Sequence, residues 1–349
     1  MIYPSQDLGH ADVGIPIQSL SIRVKKPHRK TILAYLIGCL GTVVGCYVIL
    51  GCSLLVLRAT GNLPPPIVTN NLCFDEKLQW MSRELPSSPP DLLVFGSSVA
   101  WRHFDSKQAI ESGLAKNPYN LGFCGMRLSQ TAFLVKYFMS KKEFHFPLRA
   151  IVIASPQDFE RCAGPEEQVF SKQEADDAIF SWAGRLKLYL KNFDFVPLVR
   201  NATLVKAMRR AAIALDPLVL TKNGDGPLDT DASRGLTYGQ ITDLRQGCFS
   251  ALRDIAKQFS DRKIQFALLL TPINPRWVSE YDPNHRVLNS LHSRIAETLK
   301  GSDAQIWDAS ESKLFSEPDF ADSIHLRWSA ARRLTAVMAN FAIRHTNEY

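Results

Sequence analysis

The chain carries none of the common signatures for metal, redox or nucleotide chemistry. Its seven cysteines (Cys39, Cys46, Cys52, Cys73, Cys124, Cys162 and Cys248) include no pair at C-x-x-C or zinc-ligand spacing, which argues against thioredoxin-like and zinc sites. No phosphate-cradling Gly-x-x-x-x-Gly-Lys-Ser/Thr, no His-Glu-x-x-His and no Gly-x-Ser-x-Gly elbow occurs, so nucleotide hydrolysis, zincin proteolysis and the α/β-hydrolase elbow lack their motifs. No motif implies a cofactor or a metal. Charge of either sign is missing altogether from Thr31 to Leu57.

What is present begins with charge. The formal net charge is +7, but Arg23, Lys25, Lys26, Arg29 and Lys30 form one short run directly before the uncharged segment. Basic residues so placed set membrane orientation rather than bind nucleic acid, and no nucleic-acid partner is expected. Residues 31–57 are long enough to cross about 30 Å of hydrocarbon as one helix. The basic run puts residues 1–30 in the cytoplasm, with residues 1–22 an aperiodic tail, and the remainder outside. A cleaved signal peptide has a shorter apolar region of about 7–15 residues followed by small residues, whereas this run ends Leu-Leu-Val-Leu-Arg58. Cys52 follows Leu50-Gly51, but the apolar run continues past it, unlike a lipidation site.

Residues 58–90 contain Pro64-Pro65-Pro66 and Pro86-Ser-Ser-Pro-Pro90 around a short helix-like piece, 75–83. Proline at this density predicts a semi-rigid stalk leading into a domain over 91–349. Within that domain short apolar runs alternate with amphipathic ones. Strands are expected at 92–95, 119–122, 150–154, 265–270 and 304–307, and helices at 106–115, 127–140, 240–259, 286–299 and 329–344. That alternation implies a parallel sheet covered on both faces, a three-layer α/β/α sandwich of about five strands and flavodoxin-like type. An insertion, 161–235, interrupts it, with helical pieces at 172–191 and 201–215 and a polar Gly/Pro/Asp loop, 222–235; insertions of this length act as lids or docking surfaces. Lys206, Arg209 and Arg210 beside Leu204, Val205, Ala212 and Ile213 suit a solvated face or an anionic surface. Asn201-Ala-Thr203 is a glycosylation sequon only in a eukaryotic secretory pathway.

The chemistry is expected around Leu92-Leu-Val-Phe-Gly-Ser-Ser98. A buried strand ending in a tight turn places a hydroxyl at the C-terminal edge of the sheet, where open α/β folds keep reactive groups; alternatively both serines only cap the helix that follows. A serine nucleophile needs a base. Of eight histidines, His28 precedes the apolar segment, His103 follows the serine turn and His345 lies in the tail. His325, in Phe320-Ala-Asp-Ser-Ile-His-Leu326, stands three residues after Asp322 in a loop before the last helix. A carboxylate so placed accepts the proton of one imidazole nitrogen and leaves the other free to deprotonate a serine.

Gly96-x-Ser98 after the first strand, Asn120-Leu-Gly-Phe-Cys-Gly125 after the second, a polar turn after the third and Asp322-x-x-His325 before the last helix together resemble the SGNH, or GDSL-like, hydrolase superfamily over about Asp91 to Tyr349. On that resemblance Ser98 matches the nucleophile of the family's Gly-Asp-Ser block, with Ser97 in place of the aspartate. The backbone N–H groups of Gly125 and Ser98 match oxyanion-hole donors. The third block, usually Gly-x-Asn-Asp, is represented by Ser155-Pro-Gln-Asp158, so that Gln157 would replace the asparagine amide. Gly-Ser-Ser behind one membrane helix is similar to the branch that works beside membrane-bound O-acyltransferases in alginate O-acetylation and teichoic-acid D-alanylation. The resemblance implies a bacterial, periplasmic, membrane-anchored serine acyl esterase or O-acyltransferase acting on acyl groups, foremost acetyl, of a cell-envelope polysaccharide. The other reading is a non-catalytic scaffold that binds a polysaccharide or a membrane-bound O-acyltransferase; the altered third block favours it, and Ser98, Asp322 and His325 together oppose it. Cys124 and Cys162 follow adjacent strand ends and either pair with each other or are buried thiols. Trp101 and Trp328 stack on sugar rings or pack in the core.

Overall fold

The computed structural model describes residues 29–144, 147–191, 195–209, 216–310 and 312–346. The tail 1–22, most of the basic run, His28 and the Arg210, Ala212 and Ile213 part of the expected surface helix lie outside them, as does the side chain of His345. The chain divides into two units, Met1–Val56 and Leu57–Tyr349, each described by itself.

The first unit contains most of helix α1, Arg29–Ala59. It covers the expected span 31–57 and, among the described residues, is the one helix long and apolar enough to cross a membrane, with a mean hydropathy of 2.3 over its best window. Between its basic ends its side chains are largely apolar, and most of them are exposed, among them Leu33, Leu36, Ile37, Leu40 and Ile49, with Leu54 buried.

In the second unit, five strands, β1 Leu92–Gly96, β2 Pro118–Gly122, β3 Arg149–Ala154, β4 Gln265–Leu270 and β5 Gln305–Asp308, form one sheet in the order β2-β1-β3-β4-β5, every pair parallel. The apolar runs of β1 to β4 are buried because both faces are covered, while in the edge strand β5 Trp307 is buried and Ile306 exposed, and the two-residue period sorts side chains between two cores. Leu93, Phe95, Val152, Leu268 and Leu270 point into one; Leu92, Val94, Ile151, Ile153 and Leu269 point into the other. The helices are α2 Leu72–Met81, α3 Ser98–His103, α4 Ser106–Glu111, α5 Leu128–Phe138, α6 Lys172–Phe180, α7 Trp182–Lys191, α8 Phe195–Met208, α9 Gln246–Ser260, α10 Pro275–Tyr281, α11 Arg286–Leu299 and α12 Trp328–Thr346. α2, α5, α9 and α11 supply the first core; α3, α4 and α12 supply the second. This is the expected three-layer α/β/α sandwich. In this order β2 is added on one side of β1 and β3, β4 and β5 on the other, and the carboxyl ends of β1 and β3 flank the crevice where doubly wound sheets place their sites.

The stalk expectation is corrected. Residues 72–81 form α2, capped by the Asn71 side chain, which accepts from the Cys73 and Phe74 N–H groups. α2 buries Phe74, Leu78, Trp80 and Met81 in the first core. The prolines on either side delimit the segment without extending it, and the i, i+4, i+7 spacing of Phe74, Leu78 and Met81 gives it an apolar face that must be covered. Lys77 of α2 is buried too, its ammonium donating to the carbonyls of Gly122 (2.5 Å) and Gly224 (3.0 Å).

The insertion also departs from expectation. The expected helix 172–191 breaks at Ser181, whose extended backbone separates α6 from α7, and Arg209 leaves its expected surface role to pair in fork geometry with Glu76. The loop 222–235 is built into the domain rather than laid over it. Asp225 is buried, accepting from the N–H and hydroxyl of Ser106, the Thr221 hydroxyl and the Asn120 amide. Polar side chains that neutralise one another across distant segments leave no periodic trace, which is why the segment reads as surface.

The cysteine pairing differs from both alternatives drawn from sequence. Cys124 bonds to Cys73 and Cys162 to Cys248. Cys124 reaches α2 because that helix folds back onto the β2 turn, which the stalk reading did not allow.

Candidate active site

β1 ends in Gly96, and the site begins there. Its φ of 138° lies in the region that favours glycine, and a Cβ would meet the Ile153 carbonyl oxygen at 2.2 Å, so the strand can turn beside β3 only without a side chain. The two serines that follow divide the roles that sequence left open. Ser97 caps α3 by accepting from the Val99 N–H. Ser98 is the first residue of α3, and its hydroxyl lies 2.8 Å from His325 Nε2.

Three elements hold the imidazole. His325 Nδ1 lies 2.8 Å and 3.0 Å from the two Asp322 carboxylate oxygens. One of those oxygens also accepts from the N–H groups of Ile324 and His325 (2.9 and 2.8 Å), so the Asp-x-x-His turn closes on itself. The turn is fixed from outside as well, with the Asn274 amide donating to the Asp322 carbonyl and the Leu326 N–H donating to His103 Nε2 at 2.9 Å. Because His103 Nε2 accepts, its Nδ1 carries the proton and donates to the Thr271 hydroxyl (2.5 Å). Burial, with His325 adding to it, holds His103 well below the usual histidine range, so it serves as a neutral strut.

Arg234 is the unexpected member. It comes from the insertion loop, whose backbone N–H donates to the Ala321 carbonyl, and its Nη1 donates to the second Asp322 oxygen at 2.6 Å while lying 2.9 Å from His325 Nδ1. A guanidinium can only donate, so it and the Nδ1 proton converge on one carboxylate. Asp216 pairs with Arg234 (3.0 Å) and with Arg102 (2.6 Å). Two carboxylates and two guanidiniums cancel, and a proton taken up by His325 becomes the uncompensated charge of the cluster.

The electrostatics follow from that arrangement. Burial works to raise the Asp322 carboxyl, but the His325 hydrogen bond and charge and the turn's N–H groups outweigh it and hold it at about 2. Burial pushes His325 below the usual histidine range; Asp322 opposes this, and Arg234 and Arg102 reinforce it. Asp322 is thus ionised and His325 neutral near pH 7, with Nδ1–H facing the carboxylate and the Nε2 lone pair facing Ser98. Tyr238 lines the rim, its ring edge-on to His325 at 5.7 Å and its φ of 51° a strained value for a bulky residue.

Gly125 lies in the turn after β2, exposed, at a left-handed φ of 70°. The Phe123 N–H donates to the Gly96 carbonyl (3.1 Å), which ties that turn to the end of β1. Gln157 sits in the 3-10 turn Pro156–Phe159 after β3, and both polar atoms of its amide are buried without a partner. Its neighbour Asp158 is raised to about 6 by burial, against hydrogen bonds from Ser155 and Ser97. Trp101 is buried with Arg102 stacked 4.1 Å from its ring centre, a packing role, while Trp328 is half-buried at the start of α12.

Sequence reasoning picked out Ser98, Asp322 and His325, which the fold brings together, and Gly125 and Gln157, which lie in the turns after β2 and β3, the two strands that flank β1. It missed Arg234, Arg102 and Asp216, which lie in no motif, and the strut role of His103; the closeness of His103 to Ser98 in sequence was the only clue. No family model and no curated protein sequence matches the chain. Among solved structures, the chain is similar to a Bacteroides fragilis protein provisionally classed as an acylhydrolase, at 13% identity and a TM-score of 0.34, over 76% of this chain and 93% of that one.

Proposed function

We propose that this protein is a membrane-anchored serine acyl esterase or O-acyltransferase, with Ser98 as nucleophile, His325 as general base and acid, and Asp322 as the group that orients the imidazole. The observation that carries the reading is the unbroken run of contacts from Asp322 through His325 to Ser98, with spacing suited to proton transfer at each link. The Ser98 oxygen attacks an ester carbonyl as its proton passes to His325 Nε2. The carbonyl oxygen becomes an oxyanion, for which the Ser98 and Gly125 N–H groups and the Gln157 amide are the donors. The partnerless Gln157 amide fits a donor held for such an oxygen. Collapse expels the alcohol, which takes the proton from His325, and leaves an acyl-Ser98 ester. Water or a sugar hydroxyl, deprotonated in turn by His325, then takes the acyl group and restores Ser98.

The acyl carrier in this reading is a cell-envelope polysaccharide outside the cytoplasm, in a bacterium the periplasm, and a membrane-bound O-acyltransferase is the partner class. Two disulfides support an oxidising compartment, and α1 with its preceding basic run supports an N-terminus in the cytoplasm. Labelling of the full chain by a fluorophosphonate probe tests the chemistry. Labelling of wild type that is lost in Ser98→Ala is expected, together with turnover of a small acetyl ester. An unlabelled, inactive wild type would instead leave a non-catalytic scaffold.

A further inference from the structure

We propose that the outward face of α7 rests in the interfacial layer of the bilayer that α1 crosses, so that the domain is held to the membrane at a second, non-covalent point; this rests on α1 being a membrane helix. Trp182, Leu186 and Leu190 follow one another at i, i+4 and i+8 and are 74%, 43% and 41% exposed, while Gly184 and Leu188 bury the opposite side. Beside that stripe run Lys187 and Lys191, both exposed, reaching Asp177 and Glu174 of α6. A stripe of tryptophan and leucine with lysines along its edge is the pattern of a helix lying in a membrane interface, with leucines entering the acyl boundary and lysines staying at the headgroups.

The position of α7 in the fold says what covers the stripe. Tyr189, within a turn of both leucines, donates its hydroxyl to the Pro64 carbonyl at 2.5 Å. Arg209 donates to the carbonyls of Gly61 (2.8 Å) and Leu63 (3.1 Å) while pairing with Glu76. Residues 61–64 are therefore fastened to the domain next to α7. They follow directly on the close of α1, where the Gly61 and Asn62 N–H groups cap the carbonyls of Arg58 and Leu57. From Ala59 to Pro64 is five residues, a reach of at most roughly 18 Å. A chain leaving the bilayer at Ala59 thus tethers Pro64, and the turn of α7 that Tyr189 bonds to it, to within that length of the membrane, and lipid is the occupant that never has to be recruited.

The tryptophans make the test direct. Trp80, Trp101, Trp277 and Trp307 are buried, Trp328 is half-buried, and α1 contains none. The full chain is reconstituted into vesicles of phosphatidylcholine with a minor share of phosphatidylglycerol, with or without brominated acyl chains, and indole emission is read. Quenching by the brominated lipid is expected, lost in Trp182→Phe and reduced in Leu186→Glu/Leu190→Glu with turnover of a small ester unchanged. A Trp182 quenched by aqueous iodide and untouched by brominated lipid would overturn the proposal, as would one shielded from both, which would mean a protein partner or a second copy. Flotation of the same vesicles after an alkaline wash separates the two levels: protein that floats with Trp182 unquenched defeats only the α7 contact, and protein that fails to float defeats the membrane reading of α1 and the contact with it.

Discussion

Replacing Arg234 separates its charge from its shape. Its Nη1 stands 2.9 Å from His325 Nδ1, and a full charge at that distance acts on a forming imidazolium with about 1.4 kcal/mol even at the dielectric constant of water, about one pKa unit. The sign follows from the structure. Arg234 disfavours the protonated imidazole, so removing it raises the His325 pKa, and the acid limb of kcat/KM, which reports that group in the free enzyme, moves to higher pH. Arg234→Gln is therefore expected to shift the limb up by about one unit. It also loses the 2.6 Å bond to Asp322, which costs a further roughly 10-fold in kcat/KM well above the limb, the usual worth of a hydrogen bond to a charged group. Arg234→Lys keeps the charge and loses the fork, so its limb stays near the wild-type position although its plateau falls. The assay is hydrolysis of a small acetyl ester by the full chain from pH 4 to 9, with thermal unfolding as the control for folding. An unmoved limb in Arg234→Gln alongside a lower plateau would refute the electrostatic role and leave Arg234 as a brace for the loop.

Further outcomes follow from the same geometry. Ser98→Ala and His325→Ala should each lower kcat by at least about 10³-fold, the scale seen when a member of such a set is removed, with thermal stability kept in Ser98→Ala; an active Ser98→Ala would remove it as nucleophile. Gln157→Ala should cost about 10²–10³ in kcat with little change in KM if its amide serves the oxyanion, and stability should hold or rise because a buried partnerless amide is removed. A stability gain with full activity would show the amide to be idle. Replacing Cys73 and Cys124 together by serine opens a loop of sequence separation 51, worth about 4 kcal/mol in the chain-entropy model; denaturant unfolding checks this, and an unchanged midpoint would contradict the pairing.

The parts of the site that sequence made legible are those whose physics is local. Leu92–Phe95 had to be a buried strand, since a run of four apolar residues closed by glycine fits little else, and Asp322 and His325 sit three residues apart in a turn that closes by itself. What escaped depends on distant partners. Arg234 looks like any other charge in a polar loop until Asp322, 88 positions away, comes beside it. α2 was misread because its flanking prolines speak for an extended chain, whereas the first core, assembled from β1, β2 and α5, supplies the surface that its apolar face needs.

By itself, then, the sequence determined the alternation of buried strands and amphipathic helices, hence the layered sheet, and the membrane-length helix ahead of it, because burial and periodicity act over a few residues at a time. Only the tertiary structure decided that Ser97 caps while Ser98 meets His325, that Cys124 finds Cys73 and Cys162 finds Cys248, and that a loop read as surface supplies the guanidinium behind Asp322. Each of these is a distance between segments far apart in the chain, and it exists only once the crossovers of the sheet have set the ends of its strands side by side.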